Sequence, residues 1–402
     1  MKKLLQTLLL GLGMAGSNAA TAQCPTGRYL TDLFPTVTKS TVTYSTPHNL
    51  QMDIYQPDGD TYAARPLIIL AHGGSFIGGS KTDDATVVEL CNRFAKRGYV
   101  TASINYRLGT LINLVSPDST VPMGIVVKAI SDGKAAIRYF MKDAATTNTY
   151  KIDTNNIFVG GNSAGAVLYM HVVYLSNIAE CPPAIADVMN VNGGFEGNSG
   201  NDGYTTKTKA AINLAGALNS PSFIGASDKP SVNVQGTLDN TVPYNCANPL
   251  NGTVNVKLCG LGQLESAYVA NGVYHMSKVY TGDGHVPWNG NAAKFNTVDS
   301  LTKEFLYNLV CTNIASVNTT DKYASIQLYP NPATDQVNIT TSSAITAIAI
   351  TDPTGRLVYE DKTAHGNSYT VPTMSMTKGL YLVRVMFEDD NITPIVKRLI
   401  IE

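Results

Sequence analysis

The stretch whose reading decides the fold is "IFVGGNSAGA", residues 157–166. A run of β-prone apolar residues stops abruptly in glycines, and Ser163 stands between Gly161 and Gly165. The pattern Gly-x-Ser-x-Gly is short enough to arise by chance in about one chain in seven of this length at ordinary glycine and serine usage. The motif therefore needs its surroundings. The strand "IFV" before it and the apolar "AVLYMHVVYL" after it give Ser163 a sharp strand-to-helix turn, where small residues let the turn close and a hydroxyl stands exposed. The start of that helix also sets partial positive charge beside the serine.

A serine hydroxyl is a weak nucleophile until a base takes its proton and a third group orients the base. Upstream, "LIILAHGGSFIGG" (67–79) places His-Gly-Gly directly after a buried strand, where backbone N–H groups can face a developing oxyanion. We assign those donors to Gly74 and Ser75 together with Ala164, with Gly73 as the alternative if the register slips by one; His72 is a structural residue of the loop. Downstream, "VNVQGTLDNTVPY" sets Asp239 just beyond one strand and "VYTGDGHVPW" sets His285 just beyond the next. The order Ser, Asp, His is the one expected when acid and base come from loops after successive later strands. Of the six histidines, His48 precedes the core, His171 lies in the helix after Ser163, His275 lies inside a strand and His365 lies in the tail. Asp228 precedes its strand, and Asp283 is too near His285 along the chain to orient it easily. Ser163, Asp239 and His285 are thus the candidate catalytic residues. Phe76, Phe195 and Trp288 are candidates for lining the substrate pocket, with ordinary core packing as the alternative for each.

The wider chain agrees with this centre. From about Thr31 to Cys311 short apolar runs alternate with helical patterns: strands at 66–72, 99–106, 210–217, 230–237 and 273–280, and helices at 84–98, 126–144 and 293–310. Such alternation predicts a doubly wound, mostly parallel α/β sheet with helices on both faces. "NGGFEGNSGNDGYTTK" (192–207) reads as a long loop at a place where caps and lids are inserted. After Cys311 a polar linker leads to short alternating strands punctuated by Pro330-Asn331-Pro332, Pro353-Thr354-Gly355 and the 389–391 turn, which predict a small all-β sandwich of roughly 80 residues. The expected division is a signal peptide over 1–23, a catalytic domain over 24–312, a linker over 313–324 and a β-sandwich over 325–402.

The beginning, "MKKLLQTLLLGLGMAGSNAATAQC", has a basic head, a leucine-rich middle and a small-residue end, the pattern of a secretory signal peptide cut after Ala22 or Gln23. Cys24 beyond the cut raises a lipid-modified terminus as an alternative, against which Gln23 stands. Six cysteines suit an oxidising compartment, and the short Asn/Gly/Pro-rich loop between Cys246 and Cys259 favours that pair. No Cys-x-x-Cys or His-x-x-His spacing supports a metal, and no cofactor is expected. A net charge of −1 gives no electrostatic reason for a nucleic-acid partner.

The motifs "HGGSFIGGSK" (72–81), "SINYRLG" (103–109), "GGNSAGA" (160–166), "GTLDNTVPY" (236–244) and "GDGHVPW" (282–288) give residues 40–310 a clear likeness. This part resembles the α/β-hydrolase superfamily, in its secreted carboxylesterase and lipase-like branch, and is similar to hormone-sensitive-lipase-like and bacterial feruloyl and acetyl-xylan esterases. Ser75 stands where many relatives have a third glycine, and Gly165-Ala166 replaces a frequent Gly-Gly. The resemblance implies a serine esterase acting on an ester substrate through an acyl-enzyme. A prolyl-oligopeptidase-type peptidase, a cutinase-like polyester hydrolase and a non-catalytic surface adhesin are the rival readings. "LYPNPATDQVNI", "DPTGRLVY", "GLYLVRV" and "VKRLIIE" resemble the C-terminal sorting domain of type IX secretion. That likeness implies the type IX machinery as partner and a secreted or outer-membrane surface location. Oligomeric state is left open.

Overall fold

The computed structural model describes Cys24 and residues 27–311, 326–352, 356–388 and 394–402. The expected signal peptide, the linker over 313–324 and the turns at 353–355 and 389–391 lie outside the described residues.

An eight-stranded sheet organises residues 37–280. Its strands are β1 (Val37–Ser45), β2 (Leu50–Pro57), β3 (Arg65–Ala71), β4 (Val100–Ile104), β5 (Ile152–Asn162), β6 (Ala210–Leu214), β7 (Ser231–Gly236) and, after the two-residue strands β8 (Cys246–Ala247) and β9 (Leu258–Cys259), β10 (His275–Tyr280). The spatial order is β1-β2-β4-β3-β5-β6-β7-β10. β1, β2 and β4 meet antiparallel, and every pairing from β4 through β10 is parallel. The helices are α1 (Ala85–Lys96), α2 (Leu111–Leu114), α3 (Thr120–Ala145), α4 (Ala164–Tyr174), α5 (Pro183–Val191), α6 (Leu261–Asn271) and α7 (Ala292–Cys311).

β3 shows why the layers form. All seven of its residues are buried, as a strand covered on both faces requires. Its side chains alternate: Leu67, Ile69 and Ala71 join the core that includes residues of α3 and α4, whereas Ile68 and Leu70 join the core that includes α1 and α7. The antiparallel entry hairpin β1–β2 and the helices α5 and α6 are absent from the sequence expectation. β1 has only two fully buried residues, and the apolar signal of α6 is spread around its circumference. α3 begins earlier than expected, at Thr120.

β5 lies between β3 and β6, at the centre of the sheet, and α4 leaves it through Ser163. The turn closes because its glycines have no Cβ. A Cβ on Gly160 would stand 2.1 Å from the Ile212 carbonyl oxygen, on Gly161 2.3 Å from that of Ala71, and on Gly165 2.0 Å from the same Ala71 oxygen. Two disulfides brace the unit: Cys246–Cys259, the pair favoured from the sequence, and Cys24–Cys311, which joins residues 287 apart. Cys91 and Cys181 are free thiols, and burial pushes Cys91 up to about 12, the signature of an inert core thiol.

Residues 326–401 form a separate antiparallel sheet of β11 (Ile326–Tyr329), β12 (Gln336–Thr351), β13 (Leu357–Asp361), β14 (Gly366–Pro372), β15 (Gly379–Phe387) and β16 (Ile395–Ile401). The 16-residue β12 pairs in turn with β11, β13, β14 and β15. This lets the sheet fold over on its own apolar core of Val337, Ile339, Ile348, Val383 and Leu399. Both fold expectations, a mostly parallel α/β sheet and an all-β tail, hold.

Because the Ala71 carbonyl leaves no room for a Cβ at position 165, Gly165→Ala is expected to cost about 1–3 kcal/mol. Thermal unfolding should then show a Tm lower by several degrees. An unchanged Tm would contradict the close approach.

Candidate active site

Ser163, Asp239 and His285 come from the C-terminal ends of three parallel strands, β5, β7 and β10, the edge at which open α/β sheets collect their reactive groups. Ser163 adopts φ 54° and ψ −118°, a strained conformation for a residue with a side chain. Its N–H donates to the Leu214 carbonyl at 2.8 Å. His285 Nε2 lies 2.8 Å from Ser163 Oγ and His285 Nδ1 lies 2.7 Å from Asp239 Oδ2. With the imidazole proton on Nδ1, Nε2 accepts from the serine hydroxyl.

The Asp239 side chain is wholly buried and fully used. Its Oδ1 accepts the N–H groups of Thr241 and Val242, both at 3.0 Å, and its Oδ2 also accepts from Gln235 Nε2 at 3.2 Å. Gln235 in turn donates to the Val242 carbonyl and accepts from Leu261 N–H, which ties the carboxylate to α6. Asp283 turns away and pairs with Lys294, so it makes no claim on His285.

Opposite the serine, Gly74 (φ 116°), Ser75 (φ 53°) and Phe76 (φ 61°) form a left-handed turn closed by Ile77 and Gly78 N–H donating to the Gly74 carbonyl. Successive backbone amides in such a turn make a concavity for negative charge. Ser75, Ala164 and Ser163 share one pocket wall. The N–H of Gly73, the alternative donor, is instead given to Asp84 Oδ2 at 2.8 Å. His72 is a support. Its ring stacks on Tyr106 at 4.3 Å, its Nδ1 lies 2.6 Å from the Gly73 carbonyl, and its own carbonyl accepts from Tyr106 Oη at 2.9 Å. The "SINYRLG" segment thus buttresses the glycine loop.

One residue escaped the sequence reading. Asp84 precedes α1 and caps it, with Oδ1 accepting from Thr86 and Val87 N–H, while Oδ2 accepts from Gly73 N–H and from Asn162 Nδ2 at 3.0 Å. A single carboxylate therefore fixes the glycine loop against the residue next to Ser163. The sequence signal, an aspartate before an apolar-periodic run, announces only the cap.

Of the three candidate pocket residues, the structure brings one to the site. Phe76 lines the cavity beside Ser163. Trp288 is corrected: it is 1% exposed and packs in the core near α1 and α7, where with Thr86 and Phe295 it borders a different, shallow depression. Phe195 is corrected too. Lys134 Nζ sits 3.3 Å above its ring and donates to its carbonyl. The 192–207 loop does not cover the pocket, because it is pinned along α3: Ser199 Oγ donates to Asp132 Oδ1, Arg107 Nε donates to the same carboxylate, and Glu196 pairs with Arg138. The pocket is walled instead by α2, the first half of α3, α5 and the 241–258 segment closed by Cys246–Cys259. Among the described residues no group of His, Cys, Asp or Glu is arranged to hold a metal.

Residues 52–219 match the family model BD-FAE, and residues 327–402 match the secretion system C-terminal sorting domain. The native esterase of the planctomycete Thermogutta terrifontis superposes with a TM-score of 0.50 at 21% identity, over 67% of this chain and 92% of that one. The large unit has the α/β-hydrolase fold. Beyond this fold the hydrolase unit is similar to a "Probable carboxylesterase 3" of Arabidopsis thaliana, at 24% identity over 219 residues. That match spans 52% of this chain and 66% of the relative, just under two thirds of its length. The Thermogutta terrifontis esterase phosphorylated by paraoxon also matches, at 22% identity and a TM-score of 0.50, over 67% of this chain and 94% of that one.

Asp84→Asn keeps an oxygen for the α1 cap but turns an NH₂ toward two donors. It should preserve most of the Tm while lowering kcat by about tenfold or more, since a misplacement of about 1 Å costs of that order; Asp84→Ala should lose both, the cap contributing about 1 kcal/mol. Unaltered kcat in both variants would remove the role. Burial holds the Lys134 ammonium down at about 8, below its ordinary value, so the unfolded chain binds the extra proton between pH 8 and the unperturbed lysine range. Stability of the wild type relative to Lys134→Met should therefore rise as pH increases through that window. Denaturant titrations at pH 7 and 9.5 measure it, and a fall over the same interval would overturn the assignment.

Proposed function

We propose that this protein hydrolyses carboxylic esters by acyl transfer through Ser163, with His285 as general base and acid and Asp239 as its orienting carboxylate. The chain is a carboxylic ester hydrolase of α/β-hydrolase fold. The observation that carries the residue assignment is the continuous relay from Ser163 Oγ through His285 to a buried, fully hydrogen-bonded Asp239, with contacts of 2.8 and 2.7 Å.

Ser163 Oγ attacks the ester carbonyl carbon while its proton passes to His285 Nε2. Asp239 holds Nδ1–H and stabilises the imidazolium, remaining a carboxylate throughout. The carbonyl oxygen gathers negative charge against the N–H groups of Gly74, Ser75 and Ala164, donors already oriented by the left-handed turn and the start of α4. His285 then gives its proton to the departing alcohol oxygen, and the acyl group stays on Ser163. Water enters, loses a proton to His285 and attacks the acyl carbon, releasing the acid and restoring the serine. Ionised Asp239 is compatible with its burial because two backbone amides and Gln235 satisfy it.

The sorting domain assigns the chain to type IX secretion, with the cell surface or the extracellular space as destination. Passage through the periplasm after signal-peptide cleavage, and division into a hydrolase unit over 24–312 and a sorting unit over 325–402, complete the proposal. Two disulfides in the hydrolase unit suit that route.

Ser163→Ala is expected to lower p-nitrophenyl butyrate hydrolysis by at least about 10³-fold and to abolish labelling by a fluorophosphonate. Retained turnover with a folded protein would sink the mechanism.

A further inference from the structure

No Asp, Glu, Lys or Arg lines the pocket beside Ser163. Its shape is set by α4. Ala164, Val167, His171 and Leu175 all face it, a spacing of three to four residues that keeps them on one side of the helix. The cavity therefore runs along α4 from the nucleophile to the helix's far end, about 16 Å at the α-helical rise. α3 contributes Val127 to the wall, and Met189 of α5 borders it as well. The single histidine on the wall is spent: His171 Nδ1 donates to the Val167 carbonyl at 2.8 Å and Nε2 accepts from Asn219 N–H at 3.1 Å. Burial also holds its pKa below the ordinary value. Neither ring nitrogen is left for a ligand.

The pocket's position decides which part of the ester it takes. Ser75 and Ala164, on the oxyanion side of Ser163, belong to its lining, whereas His285 does not. The leaving alcohol departs toward the group that protonates it, so the channel receives the acyl group that remains on the serine. Resting on the ester-hydrolase reading above, we propose that the substrates carry an uncharged, apolar acyl chain of medium length, about six to twelve carbons, laid along α4. An acetyl group would leave most of the apolar wall uncovered. A carboxylate or other charged acyl terminus would be desolvated with no partner.

The test is a p-nitrophenyl ester series from acetate to palmitate on the full chain, with Ser163 titrated by a fluorophosphonate to fix the active fraction. kcat/KM should rise at least tenfold from acetate to octanoate, as methylene burial requires, and fall again by palmitate. The hemisuccinate, with its terminal carboxylate, should be cleaved at least tenfold more slowly than the butyrate. Val127→Trp, which narrows the channel beyond the nucleophile, should move the optimum to shorter chains. Acetate equal to or better than octanoate on a fully labelled enzyme overturns the chain-length assignment and leaves ester hydrolysis standing, as does an optimum unmoved by Val127→Trp. No turnover of any ester and no labelling of Ser163 removes both.

Discussion

The hydrolase unit depends on one steric fact, that the carbonyl of Ala71 comes against the backbone of both Gly161 and Gly165. β3, the end of β5 and the first turn of α4 are thereby pressed into a contact that no side chain can enter. The contact fixes the angle at which the chain leaves the sheet and holds Ser163 in its strained conformation. It also sets β3's outgoing loop beside the serine, so that the glycine turn at 74–76 begins within reach of the same centre. Asp84 then locks that loop to Asn162. Strain at Ser163 is sustained because three elements over-determine it.

Legibility in the sequence followed physical range. The turn around Ser163 could be read because glycine on both sides of a serine between a strand and a helix leaves few alternatives. Asp239 and His285 could be read because strand order limits which loops reach the serine. The Cys246–Cys259 pair was legible from the loop between them. Other features depend on packing across long separations, and their residues look ordinary in isolation. Asp84 looks like a helix cap because half of its bonding is one. Trp288 looked like a pocket residue because it follows His285 closely, yet the chain turns inward at Val286, which adopts φ 45°, and carries the indole into the core. Phe195 sits in a loop whose anchors, Asp132 and Arg138, lie six residues apart on α3 and say nothing about the loop until both are folded.

The walls of the pocket were the least legible part. They come from several segments far apart in the chain, each too short or too evenly apolar for periodicity to distinguish from ordinary core. The chemistry and the shape of this site share elements: Thr241 and Val242 both line the pocket and donate to Asp239, and α4 begins at Ser163. Strand ends and tight turns hold the reacting groups, and the connections between strands form the cavity.

The Cys24–Cys311 bond bears on what happens at the other end of this unit. It ties Cys24 to the last residue of α7, so residues 24 to 311 form a covalently closed loop, and the sorting domain follows beyond it. The last turn of α7 is therefore fastened to the N-terminal segment as well as packed against the sheet, and its fraying is opposed at its end by a covalent bond.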